Sequence, residues 1–179
     1  MKHTLVALVE NKPGVLNRVA SLFRRRNFNI DSLTVGRTDN ALISRMTIVM
    51  DSDADAEQVQ KQLYKLINVI QVENVTQVPG VSRDLALIKI QVDSQTRSEV
   101  VQLCEIFRAR IVDVTSDSVI VEITGDEQKI DSLLELLRPI GIIEMVRTGV
   151  VTMSRGENVL TPNGYKPRLV GNGHRASVL

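Results

Sequence analysis

The chain has 179 residues, 43% of them hydrophobic, which is enough to bury one or two cores. Lysine and arginine number 22 against 21 aspartate and glutamate, so no global charge favours nucleic acid, an anionic membrane or an acidic substrate. The single cysteine, Cys104, excludes an internal disulfide. Because no apolar run approaches the roughly 20 residues of a membrane span and the first residues lack signal-peptide features, we expect a cytoplasmic protein without membrane contact.

The first half of the chain predicts four strands and two helices in the order βαββαβ. Segments rich in β-branched residues indicate strands at residues 3–10, 29–38, 41–51 and 69–78. Apolar residues at helical spacing indicate a first helix at Val15, Leu16, Val19, Leu22 and Phe23. The second helix has the same spacing at Val59, Leu63, Leu66 and Ile67. Its expected N-terminal cap is the acidic cluster of Asp51, Asp53 and Asp55.

A joint at residues 79–82 divides the chain. Pro79 and Gly80 form a turn signal in a stretch of little apolar content. We therefore expect a first domain at residues 1–78, a linker at 79–82 and a second domain at 83–156. Residues 157–179 show no sustained periodicity, which favours a tail over a third domain.

The second half repeats the βαββαβ order, so the predicted fold class is α+β. Residues 85–92 alternate apolar and polar side chains like a half-buried strand, and residues 110–116 and 117–125 predict a hairpin. Thr96 to Glu99 read as a capping box for a helix with apolar residues Val100, Leu103, Cys104 and Phe107. The next helix carries Ile130, Leu133, Leu134 and Leu137, with stop signals at Pro139 and Gly141. Residues 142–151 predict the last strand.

Few residues suggest catalysis, a metal or nucleic acid. Cys104 lies on the apolar face of a predicted helix with no histidine nearby, so we expect it in the core. His3 and His174 lack the spacing of a zinc site or a serine triad. Although βαββαβ is also the order of an RNA-binding sheet, residues 41–50 and 117–125 contain no aromatic side chain on which bases could stack. We therefore expect no catalytic residue, metal or nucleic-acid partner.

Residues 11–14, Asn-Lys-Pro-Gly, join the first strand to the first helix. A helix N-terminus presents unpaired N–H groups and a partial positive charge, which suit an anion, and Gly14 has no side chain to block it. Asn11 and Asn29 would supply amide groups for the ammonium and carboxylate of a small amino acid.

An apolar wall for the same ligand would come from Val15, Leu16 and Ile30. An ordinary turn explains these residues too, since Pro13 suits the first helical position and Gly14 suits a tight turn. On the residues alone, both interpretations stay open and the ordinary turn is favoured.

Several stretches, in order along the chain, closely resemble the small regulatory subunits of acetohydroxyacid synthase, also called acetolactate synthase. They are LVENKPGVLNRVASLFRRRNFNIDSLTVG, SRMTIVM, QLYKLINVIQV, ALIKIQV, EIFRARIVDVT and RTGVVTMSRG. The resemblance covers residues 1 to about 156. It implies two ferredoxin-like domains, an N-terminal ACT domain and an ACT-like second domain.

The resemblance also implies a function and a site. A non-catalytic subunit would dock on a large catalytic subunit that holds thiamine diphosphate, magnesium and FAD. It would raise the activity of that subunit and make it sensitive to valine, the end product of the pathway. Two N-terminal domains would pair in a homodimer and bind valine at their interface. The family's effector residues map onto Asn11, Gly14, Val15, Leu16, Asn29 and Ile30.

The resemblance leaves two points open. It does not extend over residues 157–179, and the variable pair Lys12-Pro13 leaves the choice among valine, leucine and isoleucine undecided. A free-standing amino-acid sensor for another enzyme or for transcription would use the same pocket, although no DNA-binding helix pair is recognisable. A small ferredoxin-like enzyme would need converging acid, base and nucleophile, which the sequence does not indicate.

Overall fold

The computed structural model describes residues 2–51, 56–160 and 162. Two α+β units follow each other, each with the predicted βαββαβ order, and a short ninth strand is added. The elements are β1 Lys2–Glu10, α1 Val15–Arg25, β2 Ile30–Arg37, β3 Ile43–Asp51, α2 Ala56–Leu63, β4 Val69–Asn74, β5 Gly80–Gln91, α3 Thr96–Phe107, β6 Arg110–Val114, β7 Ser118–Gly125, α4 Glu127–Gly141, β8 Ile142–Arg147 and β9 Val151–Ser154.

The first sheet has the strand order β2-β3-β1-β4, with every neighbouring pair antiparallel. Alternate residues of β1 are Leu5, Ala7 and Val9, which join the core that also contains the apolar faces of α1 and α2. The intervening Val6 and Leu8 are almost fully buried too. The strand is therefore apolar on both sides, as its continuous run of hydrophobic residues predicts.

The second sheet has the strand order β6-β7-β5-β8. Its core takes alternate residues of β5 and the apolar faces of α3 and α4. Cys104 is buried in this core, as expected, and burial raises the pKa of its thiol. The predicted hairpin is confirmed, because β6 and β7 pair with Val114 opposite Val119.

The expected linker at residues 79–82 is largely strand. Gly80 already belongs to β5, and the first part of this long strand pairs with β9, from Gly80 opposite Ser154 to Arg83 opposite Val151. The turn between the units lies just before Pro79, where the Val78 amide donates to the Val75 carbonyl oxygen at 3.2 Å, and the chain is already extended at Gly80.

The two units contact each other along β2. The Lys2 ammonium lies 3.1 Å from a carboxylate oxygen of Asp31 and 2.7 Å from one of Glu127, which begins α4. The Ser32 hydroxyl oxygen accepts a hydrogen bond from the Val150 amide at 3.0 Å. The turn between β8 and β9 thus packs on the first sheet.

Helix α2 is shorter at its C-terminal end than predicted, and most of its expected cap lies outside the described residues. It ends at Leu63, so Ile67 lies beyond the helix and is 69% exposed. Asp51 is the last residue of β3, whereas Asp53 and Asp55 lie outside the described residues. Four apolar residues at helical spacing did not distinguish a two-turn helix from a three-turn helix.

The capping box of α3 is shifted by three residues from its prediction. Asp93 accepts hydrogen bonds from the Thr96 amide at 2.8 Å and the Gln95 amide at 2.9 Å, while its own amide donates to the Thr96 hydroxyl. Thr96 therefore completes the box instead of starting it. The reciprocal hydrogen bonds of a capping box are present, but they join Asp93 and Thr96 instead of Thr96 and Glu99.

The end of the last helix is confirmed at one of its two stop signals. Helix α4 ends at Gly141, whereas Pro139 lies inside it. The predicted strand 142–151 is divided into β8 and β9, because the buried Asp84 carboxylate accepts from the Thr148 hydroxyl and the Gly149 amide at 3.2 Å and bends the chain there. Most of the expected tail at 157–179 lies outside the described residues.

Candidate functional site

The N-terminus of α1 is open to a ligand. Gly14, the residue before the helix, has a φ of +82°, and a Cβ atom built there would meet nothing within 4 Å. In the described chain, no side chain caps this end and no acidic residue lies in the first turn. By contrast, Asp126 caps α4 by accepting from the Lys129 amide at 2.8 Å. The Val15 amide donates to the Lys12 carbonyl oxygen at 3.4 Å, and the next N–H groups of α1 are suited to donate hydrogen bonds to an anion.

Asn11 is oriented by the neighbouring loop. Its backbone amide donates to the Leu42 carbonyl oxygen at 2.8 Å, and its side-chain Nδ2 donates to the Ala41 carbonyl oxygen at 2.8 Å. The side-chain Oδ1 accepts no hydrogen bond from the described residues. Because Nδ2 is already engaged, Asn11 suits an ammonium group better than a carboxylate.

A polar network that sequence reasoning missed lies directly behind this turn. Glu10, the last residue of β1, is 7% exposed, and its Oε2 accepts from Nδ2 of Asn68 at 2.6 Å. The Lys12 ammonium lies 3.1 Å from the same oxygen, and Arg18 donates to Oδ1 of Asn68. Glu10 and Asn68 are 58 positions apart in the sequence, so no local pattern could have predicted the contact.

The two apolar residues at the start of α1 face different surroundings. Val15 is 4% exposed and belongs to the core of the first unit. Leu16 is 47% exposed beside Gly14. Leu16 is therefore the residue that offers apolar surface to a ligand at this turn, whereas Val15 packs in the core.

Asn29 is placed by the C-terminal turn of α1. Asn27 has a φ of +57°, and the Phe28 amide donates to the Phe23 carbonyl oxygen at 3.0 Å, which is a Schellman motif. The two phenylalanine rings pack edge to face at 6.0 Å. Asn29 is exposed, and Ile30 is half-buried against the core.

The six predicted effector residues fall into two groups at opposite ends of one sheet. The turn at residues 11–14 follows Glu10, which pairs with Ile43, whereas Ile30 pairs with Met50 at the other end of β3. Seven steps along β3 at about 3.3 Å each separate these ends by roughly 23 Å. A single chain therefore does not bring Asn29 to the Gly14 turn.

Two clefts lie elsewhere and include none of the six residues. One, of about 710 Å³, lies between the helix-free face of the first sheet, at Val6 and Leu8, and residues that follow β9. The other, of about 390 Å³, follows the contact between β2 and the turn at Gly149. Neither the Gly14 turn nor Asn29 opens into these spaces.

The described residues offer no assembled metal site. Across residues 2–51, 56–160 and 162, no group of three or more histidine, cysteine, aspartate or glutamate side chains is arranged to hold a metal ion. Within the same residues, no helix is long and apolar enough to cross a membrane.

Comparisons with known proteins cover both units. A family model described as the AHAS small subunit-like ACT domain matches residues 5–71, and one described as the small subunit of acetolactate synthase matches residues 83–156. The probable acetolactate synthase small subunit of Archaeoglobus fulgidus is 56% identical over 157 residues, covering 87% of this chain and 98% of that protein. The acetolactate synthase small subunit of Mycolicibacterium smegmatis is 51% identical over 155 residues, covering 86% and 91%.

A solved structure supports the same assignment. The crystal structure of the acetolactate synthase small subunit from Thermotoga maritima is 42% identical and superposes with a TM-score of 0.82, covering 89% of this chain and 99% of that one. The two ferredoxin-like units are thus confirmed. The chain belongs to the family of acetolactate synthase small subunits, the regulatory, non-catalytic partners of the large catalytic subunit.

Proposed function

We propose that this chain raises the activity of the large catalytic subunit and makes it sensitive to valine or a related branched-chain amino acid. The carrying observation is the placement of the two residue groups at opposite ends of one sheet, whose edge strand β2 has no strand partner on its outer side among the described residues. The large subunit would hold thiamine diphosphate, magnesium and FAD.

A twofold dimer would assemble the site from these separated groups. If β2 pairs antiparallel with β2 of a second copy, the Arg37 end of one strand lies beside the Ile30 end of the other. Arg37 pairs with Ser44 at the end of the sheet that carries the Gly14 turn. The second copy's Asn29 and Ile30 would therefore reach the same end of the joined sheet as Asn11 and Gly14.

The chemistry of the two groups suits a small zwitterion. The amides of the first turn of α1 would bind the carboxylate, and the Asn11 side-chain oxygen would accept from the ammonium group. Leu16 of one copy and Ile30 of the other would contact an aliphatic side chain. Asn29 of the second copy would donate to the carboxylate or accept from the ammonium.

Inhibition would arise because the ligand favours one arrangement of the dimer over another. A coupling of about 1 to 3 kcal/mol between effector binding and the activated arrangement gives useful control. The ligand must therefore bind the less active arrangement about 5-fold to 150-fold more tightly.

Reconstitution with the cognate catalytic subunit tests this function. We expect acetolactate formation to rise when the chain is added and to fall again when valine is titrated in. Leucine and isoleucine titrations establish the preference. Activation that is insensitive to all three amino acids, together with no calorimetric binding of them by the full chain, would contradict the effector role while leaving the activating role standing.

A further inference from the structure

The Glu10 carboxylate is buried at the point where β1 ends and the turn at residues 11–14 begins. A buried carboxylate is costly unless hydrogen bonds and an opposite charge compensate it. Here Asn68 donates to it at 2.6 Å and the Lys12 ammonium lies 3.1 Å away. The Glu10 amide also donates to the Asn68 carbonyl oxygen at 2.9 Å.

These contacts join three separate segments. Asn68 precedes β4 and lies 8% exposed, and its side-chain oxygen accepts from Arg18, one turn into α1. Lys12 belongs to the turn itself, and its backbone amide donates to the Glu10 carbonyl oxygen at 3.0 Å. The turn is therefore fixed at its start by Glu10 and across its end by Arg18, both through Asn68.

A contribution to the stability of the first unit does not by itself explain why these contacts lie beside the Gly14 turn. Elsewhere the same unit joins the region of α2 to β4 with a simpler contact, in which the Tyr64 hydroxyl bonds both the amide and the carbonyl oxygen of Val72 at 3.0 Å. The network at Asn68 instead links a strand end to both sides of the Gly14 turn, where a Cβ atom built on Gly14 would meet nothing within 4 Å and no side chain caps α1.

We propose that Glu10 and Asn68 are positioning residues for the effector turn, which they hold in the conformation that receives the ligand carboxylate. This inference rests on the proposed function of the turn. Neither residue touches the ligand. They act through Lys12 and Arg18, and they set the orientation of the first turn of α1 before any ligand arrives.

The test compares variants of the full chain with the catalytic subunit. Asn68→Leu removes the donor and the acceptor while keeping the same number and branching of side-chain heavy atoms. We expect the valine concentration for half-inhibition to rise about tenfold, equivalent to about 1.4 kcal/mol. Activation in the absence of valine stays within about twofold, because neither residue lies in the turn that the ligand contacts.

Two milder substitutions test the same network in case the Asn68→Leu protein does not fold. Glu10→Gln keeps an oxygen that accepts from Asn68, so its half-inhibition concentration should rise less than that of Asn68→Leu. Arg18→Met cuts only the outer link to Asn68, and we expect about a threefold rise. Tyr64→Phe is the matched control, since it removes a hydroxyl that joins the same region to β4 without reaching the turn.

Hydrogen exchange of residues 9–18 without ligand provides a second readout. Asn68→Leu should speed this exchange, whereas Tyr64→Phe should lower thermal stability and leave both the exchange and the inhibition unchanged. Equal effects of the two substitutions, or none from Asn68→Leu, would overturn the positioning role. If the wild-type chain responds to no amino acid, the proposed function fails, while the exchange comparison still decides whether Asn68 orders the turn.

Discussion

Two glycines with similar backbone angles have opposite surroundings. Gly14 has a φ of +82° and open space where a side chain would be, whereas Gly149 has a φ of +88° and would place a Cβ atom 2.5 Å from the Ser32 hydroxyl oxygen. Gly14 could be predicted from its position before a helix. Gly149 could not, because its close contact is with a strand more than 100 residues away in the sequence.

Two substitutions at Gly14 distinguish the effect of a negative charge from the effect of side-chain size. Gly14→Asp places a carboxylate where the ligand carboxylate would bind, and the repulsion should weaken valine binding at least tenfold and abolish inhibition, with activation kept. Gly14→Asn is the matched control, since asparagine has the same shape, tolerates this backbone angle and carries no charge. Calorimetry and inhibition assays measure both variants, and equal losses from the two would show that bulk is responsible.

At the scale of helices and strands, periodicity predicted nearly every element, and the ends were the weak point. Within the part of the chain that the structure describes, apolar spacing and β-branched runs located all four helices and eight of the nine strands, but the cap of α3 is Asp93 and not Thr96. Thr96 to Glu99 match the usual capping-box sequence, whereas Asp93 to Thr96 have threonine in place of Glu or Gln at the last position. Which residue caps the helix depends on where β5 ends and the chain leaves the sheet, and the local sequence does not reveal that point.

The cap of α3 should make stability depend on pH. Hydrogen bonds from Thr96 and Gln95 hold the pKa of the Asp93 carboxyl below its usual range. The contribution of the ionised Asp93 side chain to the free energy of unfolding is therefore fully present above the usual pKa of about 3.9. It is lost as pH falls through the lower pKa of the folded state. Urea unfolding should show Asp93→Asn less stable than wild type near neutral pH, with the difference shrinking in acid.

Glu99→Gln is a suitable control for this experiment. Glu99 is an acidic residue in the first turn of the same helix and does not take part in the cap. It should show a smaller change between neutral and acidic pH than Asp93→Asn. A constant difference between wild type and Asp93→Asn at every pH would indicate that hydrogen bonding by the neutral side chain, not ionisation, provides the cap.

At the scale of the whole molecule, the sequence indicated six candidate effector residues but did not predict that they lie in two separate groups. Asn11 and Asn29 are 18 positions apart in the sequence and at opposite ends of the sheet, because α1 carries the chain from one end to the other. Contacts between the units, such as Lys2 with Glu127, depend on how the two sheets meet. No periodicity within either unit specifies that arrangement.

The contact at Gly149 should contribute to the packing of the two units. Gly149→Ala meets Ser32 at 2.5 Å and Thr34 at 3.0 Å, so we expect a loss of about 1 to 3 kcal/mol in the free energy of unfolding. Gly156→Ala has a comparable positive φ but open space, and should lose only the backbone term of about 1 kcal/mol. Calorimetric unfolding of both variants separates the steric contact from the backbone cost, and equal losses would contradict the close packing.

The proposed assembly of the site from two copies requires pairing through the edge strand β2. Val35 on this strand is 42% exposed, and a lysine there would place a charged side chain in each half of the proposed strand pairing, as charges on edge strands do to prevent pairing. We expect Val35→Lys to raise the dimer dissociation constant at least tenfold in sedimentation measurements and to weaken valine binding in parallel, because a monomer lacks the second group of residues.

Val114→Lys provides the comparison, since Val114 is 56% exposed on β6, the edge strand of the second sheet. The same change in charge there should leave both the dimer and the valine response intact. A Val35→Lys protein that remains dimeric and valine-sensitive would place the pairing surface elsewhere. Asn29 and Ile30 would then lie too far from the Gly14 turn to share a ligand with it, either within one chain or across that edge.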